Sequence, residues 1–192
     1  TLHPPIAGVP NEDNLILRAA ASLGLPEDRG IAISIEKVIP MGGGLGGGSS
    51  NAAVTLLALN DLFDLGYSVD ELATKGAVLG ADVPVFVRGT SAWAEGIGDE
   101  LMPLELPACW FVIIYPDCHV STQEIFGAPE LTRNTPPITV SAFFEGPVRN
   151  DLQPAVESRY KQVSTAIKWL SNHGSAMTVS YTHLTLPTRS YV

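Results

Sequence analysis

The sequence predicts an α+β fold, in which helices and strands mix without the regular alternation of a doubly wound parallel sheet. Some segments carry apolar residues at the three- and four-residue steps of a helix, whereas others are β-branched with a period of two. The 192 residues are 45% hydrophobic and 16% charged, so the chain can bury a core and is not disordered. These observations together indicate an ordered globular protein.

The first predicted elements are a helix over residues 12–23 and a strand over residues 31–38. Apolar residues recur at helical spacing in the first segment, and Gly24 follows as a stop signal. The second segment alternates β-branched and polar residues. A glycine-rich loop comes next, and from it we expect a largely buried helix that ends near Phe63.

A capping box predicts where the next helix begins. Ser68 can accept a hydrogen bond from the backbone of Glu71, whose side chain can reach back to the backbone of Ser68. The helix is expected to run to Leu79, and Gly80 is placed to end it.

The second half of the chain is predicted to hold a hairpin, a strand, a loop and a long helix. Two strands are expected within 91–105, on either side of a turn at 96–99. The apolar run 110–115 indicates a buried strand, and the proline-rich stretch 129–137 indicates a loop. An amphipathic pattern predicts one helix over 153–172.

Composition excludes several classes of protein. Eleven Lys and Arg against 20 Asp and Glu give a formal charge of −9, which argues against a DNA- or RNA-coating protein but not against nucleotide binding. Cys109 and Cys118 form no disulfide framework or zinc motif and indicate a reduced, cytosolic chain. No apolar stretch approaches the ~20 residues that cross a bilayer, and no signal peptide is visible.

Six glycines surround one leucine at residues 42–48, between a predicted strand and a predicted helix. Each glycine costs about 0.5–1 kcal/mol relative to alanine in regular structure, so the run needs a reason. A flexible linker seldom lies in such a position, whereas an anion-binding loop needs backbone that a ligand can approach closely. Ser49, Ser50 and Asn51 add groups that could cap the helix, contact phosphate oxygens or hold Mg²⁺.

Two known types of phosphate loop can be compared with this run. A P-loop requires Lys directly after the glycines. The first Lys that follows this run is Lys75, which excludes a P-loop. The residues at 42, 44 and 47 do match the dinucleotide-binding glycine pattern. The acidic residue which that fold requires would be Asp61 or Asp64, and both close a helix. A Rossmann-type domain therefore stays as an alternative.

Residues 40–53, Pro-Met-Gly-Gly-Gly-Leu-Gly-Gly-Gly-Ser-Ser-Asn-Ala-Ala, resemble the phosphate-binding signature of the GHMP kinases. Residues 12–15, 79–86, 125–126, 129–136 and 150–151 add to the resemblance, which runs in one register from Thr1 to Thr178. It implies the GHMP kinase fold, with a ribosomal-protein-like N-terminal domain followed by an α+β C-terminal domain. We expect the first to cover 1–134, incomplete at its start, and the second 135–178, truncated.

The stretches 79–86 and 131–136 narrow the resemblance to the GHMP kinases that phosphorylate 4-diphosphocytidyl-2-C-methyl-D-erythritol. This implies transfer of the ATP γ-phosphoryl group to the 2-hydroxyl of that small molecule, in the non-mevalonate route to isoprenoid precursors. The implied cofactors are ATP and Mg²⁺. The resemblance also implies a protein of the bacterial cytoplasm that has no nucleic acid or membrane partner, and a homodimer is left open. Another GHMP small-molecule kinase, or a non-catalytic or Rossmann-type nucleotide-binding domain, is the alternative.

The resemblance also implies roles for individual residues. Asp82 is the expected catalytic carboxylate, Phe126 the aromatic that stacks on the cytosine, and Thr122 a neighbour of the active site. Ser49 is the candidate metal ligand. Without the resemblance, Asp82 would be a turn or capping residue and Phe126 a core aromatic. The expected ATP contacts are Asn14, Leu15 and Lys37 near the adenine and Gly43, Gly44, Leu45, Gly46, Gly47, Gly48, Ser49 and Ser50 around the triphosphate.

Both ends of the sequence depart from the family pattern. The family's N-terminal strand with a catalytic lysine has no counterpart, so we expect this 192-residue chain to lack meaningful kinase activity. Residues 179–192 begin with Val-Ser-Tyr-Thr-His-Leu-Thr-Leu-Pro-Thr, which resembles a translated sequencing adapter, and we expect them to be a non-native tail.

Overall fold

The computed structural model describes residues 1–6, 8–26, 28–38, 44–96, 98, 100–107, 112–145 and 150–173, with backbone alone for Thr122 and Glu145. The predictions for Gly43, for the start of the glycine run and for the 179–192 tail lie outside these residues. The elements in chain order are β1 (Leu2–His3), α1 (Leu15–Ser22), β2 (Ile33–Ser34), α2 (Gly47–Leu62), α3 (Val69–Leu79), α4 (Val83–Arg88), β3 (Ala92–Glu95), β4 (Glu100–Pro103), α5 (Thr122–Phe126), α6 (Val140–Glu145), α7 (Gln153–Arg159) and α8 (Lys161–Asn172).

The described strands form two separate pairs. β1 pairs with β2 in parallel, and β3 pairs with β4 antiparallel, with Ala92 opposite Pro103 and Glu95 opposite Glu100. The hairpin predicted within 91–105 is therefore confirmed. Helices and strands mix as the α+β prediction requires. No helix within the described parts of the chain combines the length and hydropathy that a membrane span needs.

Helices α1 to α4 pack around one buried cluster, called here the first core. Its buried members are Ala19, Leu23, Ala52, Ala53, Leu56, Leu59, Leu72, Ala73, Val83 and Val87. Gly76 lets α3 approach α4 closely, because a Cβ at this position would lie 2.7 Å from Cγ1 of Val83. A small residue on α3 thus decides how near the short helix α4 can lie.

Helices α5, α7 and α8 contribute to another buried cluster, called here the second core. Its buried members are Val120, Ile125, Ala128, Leu131, Leu152, Ala155, Val156 and Val163. Residues from both sides of position 134 take part in it. The domain boundary expected there stays a prediction.

Side-chain caps set the first residue of several helices. Both hydrogen bonds of the predicted capping box are present between Ser68 and Glu71, and α3 ends at Leu79 as expected. The pKa of Glu71 is lowered, chiefly because its carboxylate accepts hydrogen bonds from the backbone and side chain of Ser68. Asn14 caps α1, so this helix begins at Leu15 rather than at residue 12.

Two strand predictions are wrong in whole or in part. Of the strand expected over 31–38, Ile33–Ser34 alone is paired, because its partner β1 is only two residues long. The buried strand expected over 110–115 is wrong for 112–115, which are not in a strand and are exposed. Trp110 and Phe111 lie outside the described residues. β-branching favours a strand, but only a paired neighbour buries it.

One helix prediction is also corrected, and one helix of the first core had no prediction. The single helix expected over 153–172 is interrupted at Tyr160, whose φ of −118° and ψ of 95° are extended. The tyrosine hydroxyl accepts a hydrogen bond from the Ser121 N–H and donates one to Glu124, and neither partner is near in sequence. Helix α4 was not predicted, because the six residues of Val83–Arg88 are too short for a helical period to be recognised.

Candidate functional site

Helix α2 begins inside the glycine run, without a side chain to cap it. Its N-cap residue is Gly46, which adopts a left-handed conformation at φ 63° and ψ 15°, and Gly44 also has a positive φ of 73°. The Gly46 carbonyl accepts a hydrogen bond from the Ser50 N–H at 2.8 Å. The first N–H groups of a helix have no partner within it, and a 16-residue helix has a partial positive charge at this end. An anion placed here would serve as the cap.

Side chains from two other helices lie near this helix start. A Cβ at Gly46 would lie 2.7 and 2.8 Å from ring carbons of Phe86 on α4. A Cβ at Gly48 would lie 3.6 Å from Cδ1 of Leu15, the first residue of α1. The described part of the glycine run therefore lies beside Phe86 and Leu15, which pack against the first core.

Asp82 lies directly before α4, at the N-cap position of that helix. Its φ of −81° and ψ of −17° are helical, and its side chain makes no cap hydrogen bond. The capping role considered from the sequence is thus not the one that Asp82 has here. Phe86 follows one helical turn later, so α4 connects Asp82 to Gly46. The carboxylate is half-buried.

The residues expected near the adenine divide into two groups. Leu15 lies near Gly48 at the start of α2, and Asn14 directly precedes Leu15 in the sequence. Asn14 is 3% exposed, and its Oδ1 accepts a hydrogen bond from the Ile16 N–H at 3.0 Å. Lys37 is exposed, and it lies in the described segment 28–38 that precedes the glycine run. The structure therefore brings Leu15, with Asn14 directly before it in the sequence, near the helix start.

The serines after the glycines differ in exposure. Ser49 is 3% exposed, whereas Ser50 is half-buried. In the described portion of the chain, no three or more His, Cys, Asp or Glu side chains lie together as a metal-binding group.

The residues expected at the acceptor substrate, Phe126 and Thr122, both lie on α5, a helix that contributes to the second core. Phe126 is the last residue of α5, half-buried and packed against that core, and its carbonyl accepts a hydrogen bond from the Arg133 guanidinium. Thr122 is the first residue of the same helix, and the structure describes only its backbone. Asp82 precedes a helix of the first core. The residues expected for catalysis and for cytosine binding are thus carried by different cores.

A polar network that the sequence did not reveal holds α5 against the junction of α7 and α8. Arg159 pairs with Glu130, and its Nε lies 3.4 Å from Oε1 of Glu124. The Tyr160 hydroxyl donates to Glu124 at 3.0 Å and accepts from the Ser121 N–H at 3.3 Å. The hydrogen bond from Arg159 lowers the pKa of Glu130. These partners are 29 to 39 residues apart, so no local pattern signals them.

Comparison with known proteins identifies the class. Residues 14–90 match the family described as the GHMP kinases N terminal domain. This range contains Asn14, Leu15, the described part of the glycine loop and Asp82. Residues 14–90 are thus similar to the GHMP kinases, and the predicted resemblance and fold are confirmed.

The individual relatives are 4-diphosphocytidyl-2-C-methyl-D-erythritol kinases. The enzyme of Pseudomonas aeruginosa is 51% identical over 179 residues, and the match covers 91% of this chain and 63% of that protein. That of Pseudomonas fluorescens is 53% identical over 177 residues, covering 91% and 62%. A crystal structure of 4-(cytidine 5'-diphospho)-2C-methyl-D-erythritol kinase superposes with a TM-score of 0.72 at 32% identity, covering 91% of this chain and 66% of that one. The chain thus spans less than two thirds of the length of these relatives.

Proposed function

We propose that this protein transfers the γ-phosphoryl group of ATP to the 2-hydroxyl of 4-diphosphocytidyl-2-C-methyl-D-erythritol, a step toward isoprenoid precursors. The observation that carries the proposal is the uncapped start of α2, which packs through Phe86 against the helix that follows Asp82. An anion-binding helix end and a carboxylate on neighbouring elements are two of the parts that phosphoryl transfer to an alcohol uses. The similarity to kinases of this substrate supports the same reaction.

Backbone amides of the glycine loop have the central role toward the nucleotide. The N–H groups from Gly43 to Ser50 bind the triphosphate and stabilise charge on the transferring phosphoryl group. Asp82 orients the acceptor hydroxyl or accepts its proton, since a carboxylate within hydrogen-bond reach of the hydroxyl can do either.

The remaining proposed residues bind the two ends of the substrate pair. Asn14, Leu15 and Lys37 contact the adenine, Phe126 stacks on the cytosine, and Thr122 lies beside the acceptor. Mg²⁺ supplies charge neutralisation on the triphosphate, and Ser49 is its candidate protein ligand. We place this reaction in the bacterial cytoplasm. The protein is proposed to be a small-molecule kinase with no nucleic acid or membrane partner, and a homodimer is left open.

The test follows ADP release with ATP, Mg²⁺ and 4-diphosphocytidyl-2-C-methyl-D-erythritol, and in parallel with mevalonate and with homoserine. It uses the complete reading frame of the gene, since the present chain spans less than two thirds of its relatives. Asp82→Asn is compared with Asp61→Asn, the same substitution at an exposed position on α2. Turnover restricted to the cytidyl substrate, abolished in Asp82→Asn and retained in Asp61→Asn, is expected.

Other results would contradict specific parts of the proposal. Turnover with mevalonate or homoserine alone would retain the GHMP kinase class and reject the substrate. An Asp82→Asn variant as active as Asp61→Asn would remove Asp82 from the catalytic step. No turnover with any of the three alcohols would favour the non-catalytic nucleotide-binding alternative.

Kinetics can separate the two substrate sites. Phe126→Leu removes the flat ring proposed to stack on cytosine, so the KM for the cytidyl substrate should rise several-fold while the KM for ATP stays unchanged. Leu15→Ala should have the reverse effect, because Leu15 packs against the start of α2. A rise of both KM values in either variant would indicate general loss of structure instead of a specific contact.

A further inference from the structure

We infer that Phe86 is a positioning residue for the phosphate-binding loop: its ring sets where the start of α2 lies relative to Asp82. This inference rests on the proposed function and deepens it, because it adds a role for Phe86, to which the proposed reaction assigns none. Phe86 acts through Gly46, which it contacts, and through α4, which follows Asp82.

The contact between Phe86 and Gly46 is closer than any other residue at position 46 would permit. An ideal Cβ at Gly46 would lie 2.7 Å from Cζ and 2.8 Å from Cε2 of Phe86, distances that real Cβ contacts essentially never show. The tip of the ring therefore lies directly on the backbone of the loop. Because Gly46 also has a φ of 63°, both its conformation and its lack of a side chain are used here.

The ring is held in turn by a helix that has little freedom to move. Val83, Val85 and Val87 of α4 are 0%, 6% and 4% exposed, so this short helix is anchored in the interior. The close approach of Val83 to Gly76 fixes α4 against α3. A ring projecting from such a helix, with only two rotatable bonds, is a rigid spacer between α4 and the loop. Because Asp82 directly precedes α4, the spacer couples the carboxylate to the anion-binding helix end.

The first arm of the test separates this contact from backbone strain. Gly46 and Gly24 have the same φ of 63°, but a Cβ at Gly24 would have nothing within 4 Å. Gly24→Ala therefore introduces the conformational strain alone, whereas Gly46→Ala adds the collision with Phe86. Isothermal titration of the 192-residue chain with ATP and with adenosine is measured for both, at a temperature at which circular dichroism shows each variant folded.

Gly46→Ala is expected to bind ATP at least about tenfold more weakly than Gly24→Ala, and to bind adenosine equally well. A positioned phosphate loop should matter only to a ligand that has phosphates. Adding Phe86→Leu to Gly46→Ala should recover part of the lost ATP affinity, because the shorter side chain relieves the collision. Such non-additivity is expected of two residues in contact.

The second arm does not depend on Gly46→Ala folding. Phe86→Leu alone should weaken ATP binding several-fold without weakening adenosine binding, while Phe86→Tyr, which keeps the ring, should bind both as the unchanged chain does. Equal losses for ATP and adenosine, or unchanged ATP affinity in Phe86→Leu, would overturn the positioning role and leave the proposed function intact. If the unchanged chain does not bind ATP, the proposed phosphate loop fails, and this inference fails with it.

Discussion

The two cores are assembled by different kinds of contact. The first core joins helices that follow one another between Leu15 and Arg88, through alanine, leucine and valine side chains and a close approach at Gly76. The second core joins α5 to α7 and α8 across the long segment 127–152, and a polar network of Arg159, Tyr160 and two glutamates borders it. Contiguous apolar patterns are sufficient to specify the first arrangement, whereas the second depends on polar partners that are distant in sequence.

The comparison extends to function. The proposed nucleotide-binding loop and Asp82 are carried by the first core, and the proposed acceptor residues Phe126 and Thr122 by the second. Substitutions that loosen one core should therefore affect one half of the proposed reaction before the other. The predictions below use this difference, in order of decreasing effect.

The largest effect is expected from truncating a buried side chain in each core. Leu56 is 0% exposed and Val156 is 1% exposed. Leu56→Ala should lower the free energy of unfolding by about 3 kcal/mol, and Val156→Ala by about 2 kcal/mol, from lost burial plus the cavity left behind. Urea denaturation followed by circular dichroism measures both. Val54→Ala, at a 60% exposed position on α2, is the control, and a loss equal to that of Leu56→Ala would contradict the assignment of the first core.

A smaller effect is expected at the glycine that lets α3 and α4 approach. A Cβ at Gly76 would lie 2.7 Å from Val83, whereas one at Gly80 would lie 3.6 Å from the same side chain, an ordinary contact. Gly76→Ala should cost about 1–2 kcal/mol of unfolding free energy despite the better helix propensity of alanine. Gly80→Ala should be near neutral, because its φ of 178° suits any residue. Equal midpoints in urea for the two variants would show that α3 and α4 have room to separate.

Removing one hydroxyl group tests the polar border of the second core. Tyr160→Phe loses the acceptor of the Ser121 N–H and the donor to Glu124, and should cost about 1 kcal/mol. The matched control is Tyr67→Phe, since that ring packs against the first core and lies 4.6 Å from Nζ of Lys75. The same urea titration compares the two. If Tyr160→Phe is no less stable than Tyr67→Phe, the second core does not depend on this hydrogen bond.

The smallest effect is a dependence of stability on pH. The pKa of Glu130 is lowered from 4.5 by its hydrogen bond with Arg159, so the folded state is stabilised above this pH. The contribution should disappear as pH falls through the lowered value, when Glu130 takes up a proton. Thermal unfolding between pH 7 and pH 3 should show a shallower decline in Glu130→Gln and in Arg159→Met. Both glutamate and arginine are near the surface, so added salt should reduce the difference.

Local signals in the sequence predicted the elements that local physics controls. The capping box at Ser68, the helix expected after the glycine run and the hairpin near residue 96 each depend on a few neighbouring residues, and each is confirmed, although α2 already begins at Gly47, inside the run. Errors occurred where a distant partner decides the outcome. Residues 112–115, part of the strand expected over 110–115, have no strand partner among the described residues. The break at Tyr160 coincides with hydrogen bonds to α5 and its N-cap.

The sequence by itself indicated the resemblance to the GHMP kinases and the position of the glycine-rich loop, because both depend on short motifs and on backbone preferences of adjacent residues. It could not determine which side chains surround that loop. Phe86 on Gly46 and Leu15 near Gly48 are contacts between separate helices, and they exist only once α1, α2 and α4 have packed together. The tertiary structure decides such contacts because close packing, rather than local preference, sets the distance between helices.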